Sequence, residues 1–228
     1  MLQVLTTTGC RPEAFALCAR WMARQTFRGQ VRWIVVDDGE EPTPMPAELP
    51  ENWCIDVVRP MPFWREGDRT QPRNFVAGLD AALQAPVVVV EDDDWYAADY
   101  LETCAARLRE HDLVGVGPQR WANVRLQRVG AYRAAWPWTS SMAFNGRVIE
   151  HLRAIAASRE AYVDRDGWEL YAGRKRYFPD GRVVGIKGLP GRGGYMPCHH
   201  QPQGSRDPGL RMLERWIGSD VEAYREFR

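Results

Sequence analysis

Four consecutive carboxylates follow a run of valines in the stretch VVVVEDDDWY, where Glu91, Asp92, Asp93 and Asp94 come directly after 87–90. Adjacent like charges repel each other, so water or a cation must offset them. Mg²⁺ and Mn²⁺ are typically held by one or two carboxylates while substrate phosphates complete the shell. The run therefore predicts a site for Mn²⁺ or Mg²⁺. On an extended segment, residues two apart face the same side, so Glu91 with Asp93, or Asp92 with Asp94, would form the clamp.

A second explanation for the acids is capping of the helix that follows, because carboxylates stabilise helix N-termini. The spacing predicts a helix over 99–111, with Asp99 as its N-cap and Glu102 three residues later in a capping box. These two residues would satisfy the helix, which leaves the four acids free for another role.

Asp37 and Asp38 form a second acidic pair, in the stretch VVDDG that ends another apolar run. Strands and helices alternate through the first 110 residues, which favours an α/β fold with a mostly parallel sheet flanked by helices. Ligands of such sheets gather at the carboxyl ends of the strands. The hydroxyls of Thr6 and Thr8, at the end of the first predicted strand, are therefore further candidates for binding. The expected strands are 2–8, 31–39, 53–60 and the valine run, and the expected helices are 11–25, 71–83 and 99–111.

Composition restricts the class of protein. The chain has 228 residues, enough for one substantial domain, and a formal net charge of zero, so no global electrostatic attraction draws it to nucleic acid or membrane. Its five cysteines form no CxxC pair, and the longest apolar run is far too short to span a membrane. The N-terminus lacks the pattern of a signal peptide. We expect a cytoplasmic protein with no membrane span.

The second half of the chain is less regular than the first. We divide the chain into a first half (1–110), a second, smaller half of the same domain (111–204) and a C-terminal helical tail (205–228). Basic and aromatic residues interleave over 119–136, a pattern that suits binding of a polyanion or nucleic acid. A solvated face with packed aromatic rings explains the same pattern.

Together, four segments resemble family 2 glycosyltransferases of the GT-A fold. These are RQT (24–26) at the end of the first predicted helix, VVDDG (35–39) after a strand, PRN (72–74) before a helix, and EDDD (91–94) after a strand. The resemblance covers about the first 110 residues in order and spacing. It implies that 1–110 is the nucleotide-sugar-binding half and that 111–204 is the acceptor and catalytic half, with the acceptor-side region as the smaller part. It implies a GT-A fold, a nucleotide-sugar donor with UDP favoured, a divalent cation, and transfer to an acceptor hydroxyl with inversion.

The resemblance also implies roles for individual residues. The acid after the second strand contacts the nucleoside, which assigns Asp37 or Asp38. Arg73, followed by Asn74, approaches the donor. The DxD motif that binds cation and diphosphate corresponds to 91–93, with glutamate in the first position. Asp93 becomes the preferred metal ligand and Asp94 its helper, while Glu91 and Asp92 contact the donor.

A general base must deprotonate the acceptor hydroxyl as it attacks the sugar. The family places a carboxylate at the start of a helix on the acceptor side, where this chain has DRDGWELY. Asp166 is the preferred base, with Glu169 and Asp164 as alternatives. A helix N-terminus that merely attracts acids explains the same pattern.

GIKGLPGRGG, residues 185–194, predicts a loop whose backbone approaches a phosphate closely, with Lys187 and Arg192 adding charge. A histidine late in the domain is a metal ligand in many GT-A enzymes, which makes His199 or His200 a candidate. Other classes also fit parts of the pattern: a metal-dependent phosphoryl-transfer enzyme or nuclease, and a non-catalytic module that binds carbohydrate or nucleic acid. The acceptor stays open among a glycan, a small molecule and a nucleic acid.

Overall fold

A computed structural model of the chain describes residues 1–132, 135–158, 163–193, 199 and 201–227. The strands are, in chain order, β1 (Leu2–Thr8), β2 (Val31–Asp37), β3 (Trp53–Val58), β4 (Val87–Val89), β5 (Trp95–Tyr96), β6 (Leu113–Gly117), β7 (Gln119–Asn123), β8 (Arg128–Tyr132), β9 (Met142–Phe144), β10 (Lys175–Pro179), β11 (Val183–Lys187) and β12 (Ser205–Arg206). The α-helices are α1 (Pro12–Ala23), α2 (Gln71–Ala81), α3 (Tyr100–Arg107), α4 (Ile149–Ala157), α5 (Val163–Glu169) and α6 (Arg211–Ile217). Short 3₁₀ helices cover Thr139–Ser141, Gly146–Val148, Pro208–Leu210 and Gly218–Phe227.

The larger sheet has seven strands in the order β10-β6-β9-β4-β1-β2-β3. Its pairs β3–β2, β2–β1 and β1–β4 are all parallel. β1, β2 and β4 are almost entirely buried, as expected of apolar strands that helices cover on both faces. The prediction of an α/β fold with a mostly parallel sheet is confirmed. Because the three strands are parallel, their carboxyl ends lie at one edge of the sheet. Asp37 and Asp38 lie at the end of β2, and the acidic run 91–94 follows β4 at the same edge.

The two predicted halves exchange strands. β9, from the second half, lies antiparallel between β4 and β6 in the larger sheet. β5, from the first half, pairs with β11 in a second sheet of order β12-β8-β7-β11-β5. The functional division at residue 110 stays a prediction. This exchange fixes the segment after β4 against β11, and so brings two distant parts of the chain together.

The helices pack through apolar faces onto the sheets. α1 buries one stripe of residues against the core, and Trp21 from that stripe donates a hydrogen bond to the hydroxyl of Tyr224 at 2.8 Å. The C-terminal 3₁₀ helix is tied to the same region, because Asp220 accepts hydrogen bonds from Arg24 at 2.7 Å and from the indole of Trp95 at 2.8 Å. Within the described residues, no helix is both long and apolar enough to cross a membrane.

The predicted capping box at α3 is wrong. Asp99 occupies the N-cap position but makes no side-chain hydrogen bond to the helix. Its carboxylate accepts two hydrogen bonds from Arg182, at 3.1 and 2.9 Å, while Glu102 accepts one from Thr26. The guanidinium of Arg182 donates two charge-assisted hydrogen bonds in a fork, which favours this pairing over a cap in which the carboxylate would accept from a backbone N–H.

Candidate functional site

The acidic run lies in a turn and not on an extended strand. β4 ends at Val89, and the chain turns at Asp92 and Asp93 before β5 begins at Trp95. The extended geometry behind the two predicted pairings is therefore absent, although Glu91 and Asp93 still bring carboxylate oxygens within 4.8 Å of each other. The turn is held by the backbone N–H of Glu91, which donates to the hydroxyl of Tyr96 at 2.8 Å.

Asp92 faces the end of β1 and the start of α1. Its carboxylate accepts hydrogen bonds from the hydroxyl of Thr8 at 2.8 Å and from Arg11 at 2.9 Å. Arg11 donates through its other terminal nitrogen to Asp93 at 3.0 Å. Sequence reasoning missed Arg11, because its position before Pro12 was read only as the beginning of a helix. The sequence feature that could have identified Arg11 is its position three residues after the end of β1, because the end of β1 lies beside the acidic turn.

Lys187 is the second cation of the cluster. It ends β11, is buried, and donates from Nζ to Asp93 at 3.1 Å and to Asp94 at 3.0 Å. Sequence reasoning placed Lys187 in a phosphate-binding loop, and the structure places it on the carboxylates instead. The backbone N–H of Ile186 also donates to Asp94, at 3.2 Å, so β11 and the acidic turn are joined at this point.

Burial and charge shift the pKa values of these acids in opposite directions. Burial alone would raise the pKa of Asp93, but the charges of Lys187, Arg11 and His199 hold it well below its usual range. Burial raises the pKa of Asp94 to about 6, despite Lys187, and the neighbouring charge of Asp93 contributes to the rise. Burial and Asp94 likewise raise the pKa of Glu91. The two cations therefore keep Asp93 ionised, whereas burial favours the protonated forms of Asp94 and Glu91.

Glu91, Asp93 and Asp94 fit a divalent cation. They offer oxygen atoms that all lie within 4.8 Å of one another. Oδ2 of Asp94 is buried and makes no hydrogen bond of normal geometry among the described residues, and neither does the nearby hydroxyl of Ser140. Together with Asp92 they make four carboxylates, which carry four negative charges when all are ionised. Arg11 and Lys187 supply two positive charges, so two negative charges would remain. Carboxylate oxygens are the donors that Mg²⁺ and Mn²⁺ prefer.

One of the two predicted histidine ligands, His199, lies near this cluster. His199 is close enough to Asp93 to lower its pKa, and its backbone carbonyl accepts a hydrogen bond from Asn123 at 3.2 Å. In the part of the chain that the structure describes, the group of side chains that could share one cation does not include His199. His200 lies outside the described residues.

Asp37 organises its own loop. Its carboxylate accepts hydrogen bonds from the backbone N–H groups of Gly39 at 3.0 Å and Thr43 at 2.8 Å, and from Arg59 at 2.9 Å. With three donors already bound, Asp37 serves the loop after β2. Two of these donors are backbone groups of the loop, whereas the donors to Asp38 are the side chains of Thr70, Arg73 and Arg192, which can move to make room for a ligand. Asp38 is therefore the better candidate for the nucleoside contact.

Asp38 lies at the centre of a cluster of polar side chains, which we call the Asp38 pocket. Its buried carboxylate accepts hydrogen bonds from the hydroxyl of Thr70, from Arg192 at 2.9 Å and from Arg73 at 3.4 Å. Arg73 also contacts the side-chain oxygen of Asn74, which is buried in the first turn of α2. The structure therefore brings together four residues that the sequence nominated for donor binding: Asp38, Arg73, Asn74 and Arg192.

The glycine-rich loop closes over the end of β1. Gly191 has a φ of +86°, and a Cβ there would lie 2.3 Å from the carbonyl oxygen of Cys10, so no other residue fits without a shift. The next residue, Arg192, donates its backbone N–H to the same carbonyl at 3.3 Å and lies over the ring of Trp64. Between this loop, Arg11 and His199 is a cavity of about 320 Å³.

Thr6 does not contact the acidic cluster or the polar side chains around Asp38 in the contacts described. Its hydroxyl is fully buried in the sheet and accepts a hydrogen bond from the indole of Trp33 at 2.9 Å. Thr8, two residues later, is the hydroxyl that reaches the acids, because the strand ends there.

The predicted general base lies at the start of α5. Asp166 accepts a hydrogen bond from Arg165 at 2.9 Å, and its neighbour Asp164 is largely buried, which raises the pKa of Asp164. Glu169 is exposed at the other end of the helix, where its backbone carbonyl accepts a hydrogen bond from Lys175. The contacts shown for these acids are local, and the assignment of Asp166 as the base stays a prediction.

Comparison with known proteins identifies the fold. No family model and no curated protein sequence matches the chain. S. aureus TarS superposes with a TM-score of 0.58 at 15% identity over 81% of this chain and 36% of TarS. TarS 1–349 in complex with UDP gives 0.55 at 13% identity over 82% and 60%. The mannosyltransferase PcManGT from Pyrobaculum calidifontis, in complex with GDP-Man and Mn²⁺, gives 0.52 at 15% identity over 99% and 72%.

These solved structures are GT-A-type glycosyltransferases, and the chain has their fold. The chain spans about a third of the length of TarS and 60% of its 1–349 segment. At these identities the likeness concerns the fold, so the chemistry must be argued from the side chains of this chain.

Proposed function

We propose that the protein is a metal-dependent glycosyltransferase that moves a hexosyl group from a nucleotide-sugar, with UDP-sugar favoured, to an acceptor hydroxyl with inversion. One observation carries the proposal. Glu91, Asp93 and Asp94 converge where the parallel strands of a GT-A sheet end, with carboxylate oxygens that all lie within 4.8 Å of one another.

The donor would lie along the acidic edge, from the pocket of Asp38 to the cluster of Asp93. UDP in one fold neighbour, and GDP-Man with Mn²⁺ in another, support a nucleotide-sugar at this edge. Asp38 offers carboxylate oxygens to a nucleoside hydroxyl or N–H group, which requires Arg192 to exchange one of its present contacts for the ligand. Arg73 stands beside Asp38 and adds a positive charge to the pocket.

Each residue of the cluster has a defined task in this proposal. Glu91, Asp93 and Asp94 would hold the cation, which when bound neutralises the diphosphate leaving group. Arg11 and Lys187 fix the carboxylates in place through paired hydrogen bonds, so little reorganisation is needed when the donor arrives. Asp166 is proposed to take the proton from the acceptor hydroxyl, and inversion follows from direct displacement.

A thermal-shift panel tests the proposal. The protein is heated with UDP-, GDP-, CMP- and dTDP-sugars, each with and without Mn²⁺. Stabilisation by one nucleotide-sugar that requires Mn²⁺ is expected, because a ligand that binds only the folded state raises its stability. Asp94→Asn should abolish the metal-dependent part, whereas the control Asp56→Asn, at a half-exposed ion pair on β3, should keep it. Failure of every nucleotide to stabilise the protein with Mn²⁺ would overturn the proposal.

A further inference from the structure

Two adjoining cavities form a groove that leads away from the acidic cluster. The inner cavity, of about 320 Å³, is bounded by Arg11 and His199, and the outer cavity measures about 340 Å³. Arg125 and Leu126 line both. The turn between β7 and β8 thus forms the middle of a path from the cluster to the edge of the second sheet.

The outer cavity is lined by a pair of arginines whose mutual repulsion destabilises the fold. Arg128 and Arg206 are directly opposite each other in the antiparallel β8–β12 pair, so their side chains share one face. Like charges directly opposite each other destabilise a sheet. Both line the outer cavity, together with the exposed Arg125.

No carboxylate within the described residues forms an ion pair with these three arginines. Arg128 donates to the backbone carbonyl of Gly204 at 3.1 Å. The neighbouring acid, Asp207, is buried, and its carboxylate accepts the backbone N–H groups of Met212 and Leu213 at 2.7 and 3.0 Å. Asp207 therefore caps the start of α6 and does not neutralise the arginines. Their positive charge is available to a ligand in the groove.

The lining of the groove indicates what kind of anion would bind. Arginine presents a planar fork of donors that matches phosphate geometry. Among the described residues that line the two cavities, none is a tryptophan, tyrosine or phenylalanine, and the one aromatic ring is the imidazole of His199. The rings predicted to stack on bases pack on each other instead, since Trp121 is buried beside Tyr132 and Tyr132 meets Trp138 edge-on. A nucleic acid would use aromatic platforms for its bases. The groove suits phosphate without bases.

We propose that this groove binds the acceptor and that the acceptor is a phosphorylated saccharide. Its phosphate lies among Arg125, Arg128 and Arg206, and its hydroxyl extends along the inner cavity toward Arg11. The inference rests on the proposed function, because it names the substrate that this glycosyltransferase would modify.

The test compares a double variant with a charge-matched control. Arg128→Gln/Arg206→Gln removes the opposed pair. The control Arg109→Gln/Arg215→Gln removes two exposed arginines, one in the turn after α3 and one in α6. Isothermal titration with glucose 6-phosphate, inorganic phosphate, glucose and a short single-stranded DNA measures binding, and UDP with Mn²⁺ is titrated into the same proteins. Melting temperatures report folding.

Wild-type protein is expected to bind glucose 6-phosphate and phosphate, with affinity that falls as salt rises, and to bind neither glucose nor DNA comparably. The double variant should lose about tenfold or more in affinity for both phosphates, the range expected for charged hydrogen bonds. Its UDP affinity should not change, and its melting temperature should hold or rise as the like-charge repulsion is removed. The control should bind as wild type does.

Each contrary result has a distinct meaning. Equal phosphate loss in the control would show nonspecific attraction and overturn the inference. Tighter binding of DNA than of glucose 6-phosphate would overturn it in favour of a nucleic-acid acceptor. Parallel loss of UDP affinity in the double variant would assign the arginines to the donor and overturn the acceptor role. Absence of UDP binding in every protein, with phosphate binding intact, would refute the proposed function and leave only an anion site.

Discussion

The ion pairs of Arg11 offer a strong test of how the acidic cluster is held together. Arg11 is 13% exposed and donates to Asp92 and Asp93, which are 4% and 3% exposed at the side chain. Arg11→Met keeps the length and the apolar contacts of the side chain but removes the charge. Asp92 would then lose its ion pair, while Asp93 would keep the one that it forms with Lys187.

The magnitude follows from burial. Removing one partner of a buried ion pair leaves an uncompensated charge and costs about 3–5 kcal/mol. For a chain of this size, about 2–4 °C of melting temperature accompany each kcal/mol, so we expect a fall of roughly 6–20 °C without metal. The loss should shrink as pH falls, because protonation of the stranded carboxylate removes its charge. Mn²⁺ should restore part of the stability by supplying a new positive charge.

Urea denaturation at pH 7 in the presence of a chelator measures the free energy of unfolding, and the scan is repeated at pH 5 and with Mn²⁺. Arg153→Met is the control, because Arg153 pairs with Asp80 and Glu150, which are 59% and 69% exposed. Exposed pairs contribute about 0–1 kcal/mol. A loss for Arg11→Met no larger than that of Arg153→Met would refute the reasoning.

Three further predictions concern the loop, the C-terminal segment and the base. Gly191→Ala should destabilise the protein by about 1–3 kcal/mol in urea, since it adds a clash to a left-handed φ, and should exceed Gly209→Ala, which has a similar φ but open space. Burial opposes the ionised form of Asp220, but hydrogen bonds from its guanidinium and indole partners lower its pKa, so its contribution is present at neutral pH and is lost as pH falls through the lowered value. Asp220→Asn should therefore cost about 1 kcal/mol at pH 7 and less at pH 3, by thermal unfolding at both pH values. Asp166→Asn should lower turnover by about 10²–10⁴-fold while donor affinity persists, with Glu169→Gln near wild type; equal turnover in both variants would exclude Asp166 as the base.

The first half of the fold was predictable because local pattern and tertiary position agree there. Buried parallel strands read as continuous apolar runs, and helices between them show regular apolar spacing. β1 and β2 match their predicted positions closely, and the acidic segments follow strand ends in both the sequence and the structure. Parallel order then placed Asp38 and Asp93 at one edge without further information.

Contacts between distant segments could not be predicted from one sequence. Lys187 reaches the acids because β11 pairs with β5, a pairing of residues nearly ninety positions apart. Arg182 displaces the expected cap at Asp99 by the same kind of long-range contact. The choice between Asp37 and Asp38 depends on which carboxylate the loop donors already occupy. Local spacing contains none of this information.

The central claim is that Glu91, Asp93 and Asp94 hold a divalent cation that recruits the donor. Isothermal titration of UDP into the protein, with and without saturating Mn²⁺, tests this most directly. The account predicts one UDP site that requires Mn²⁺ and is lost in Asp94→Asn at unchanged folding. UDP binding of equal strength without metal, or retained in full by Asp94→Asn, would contradict it.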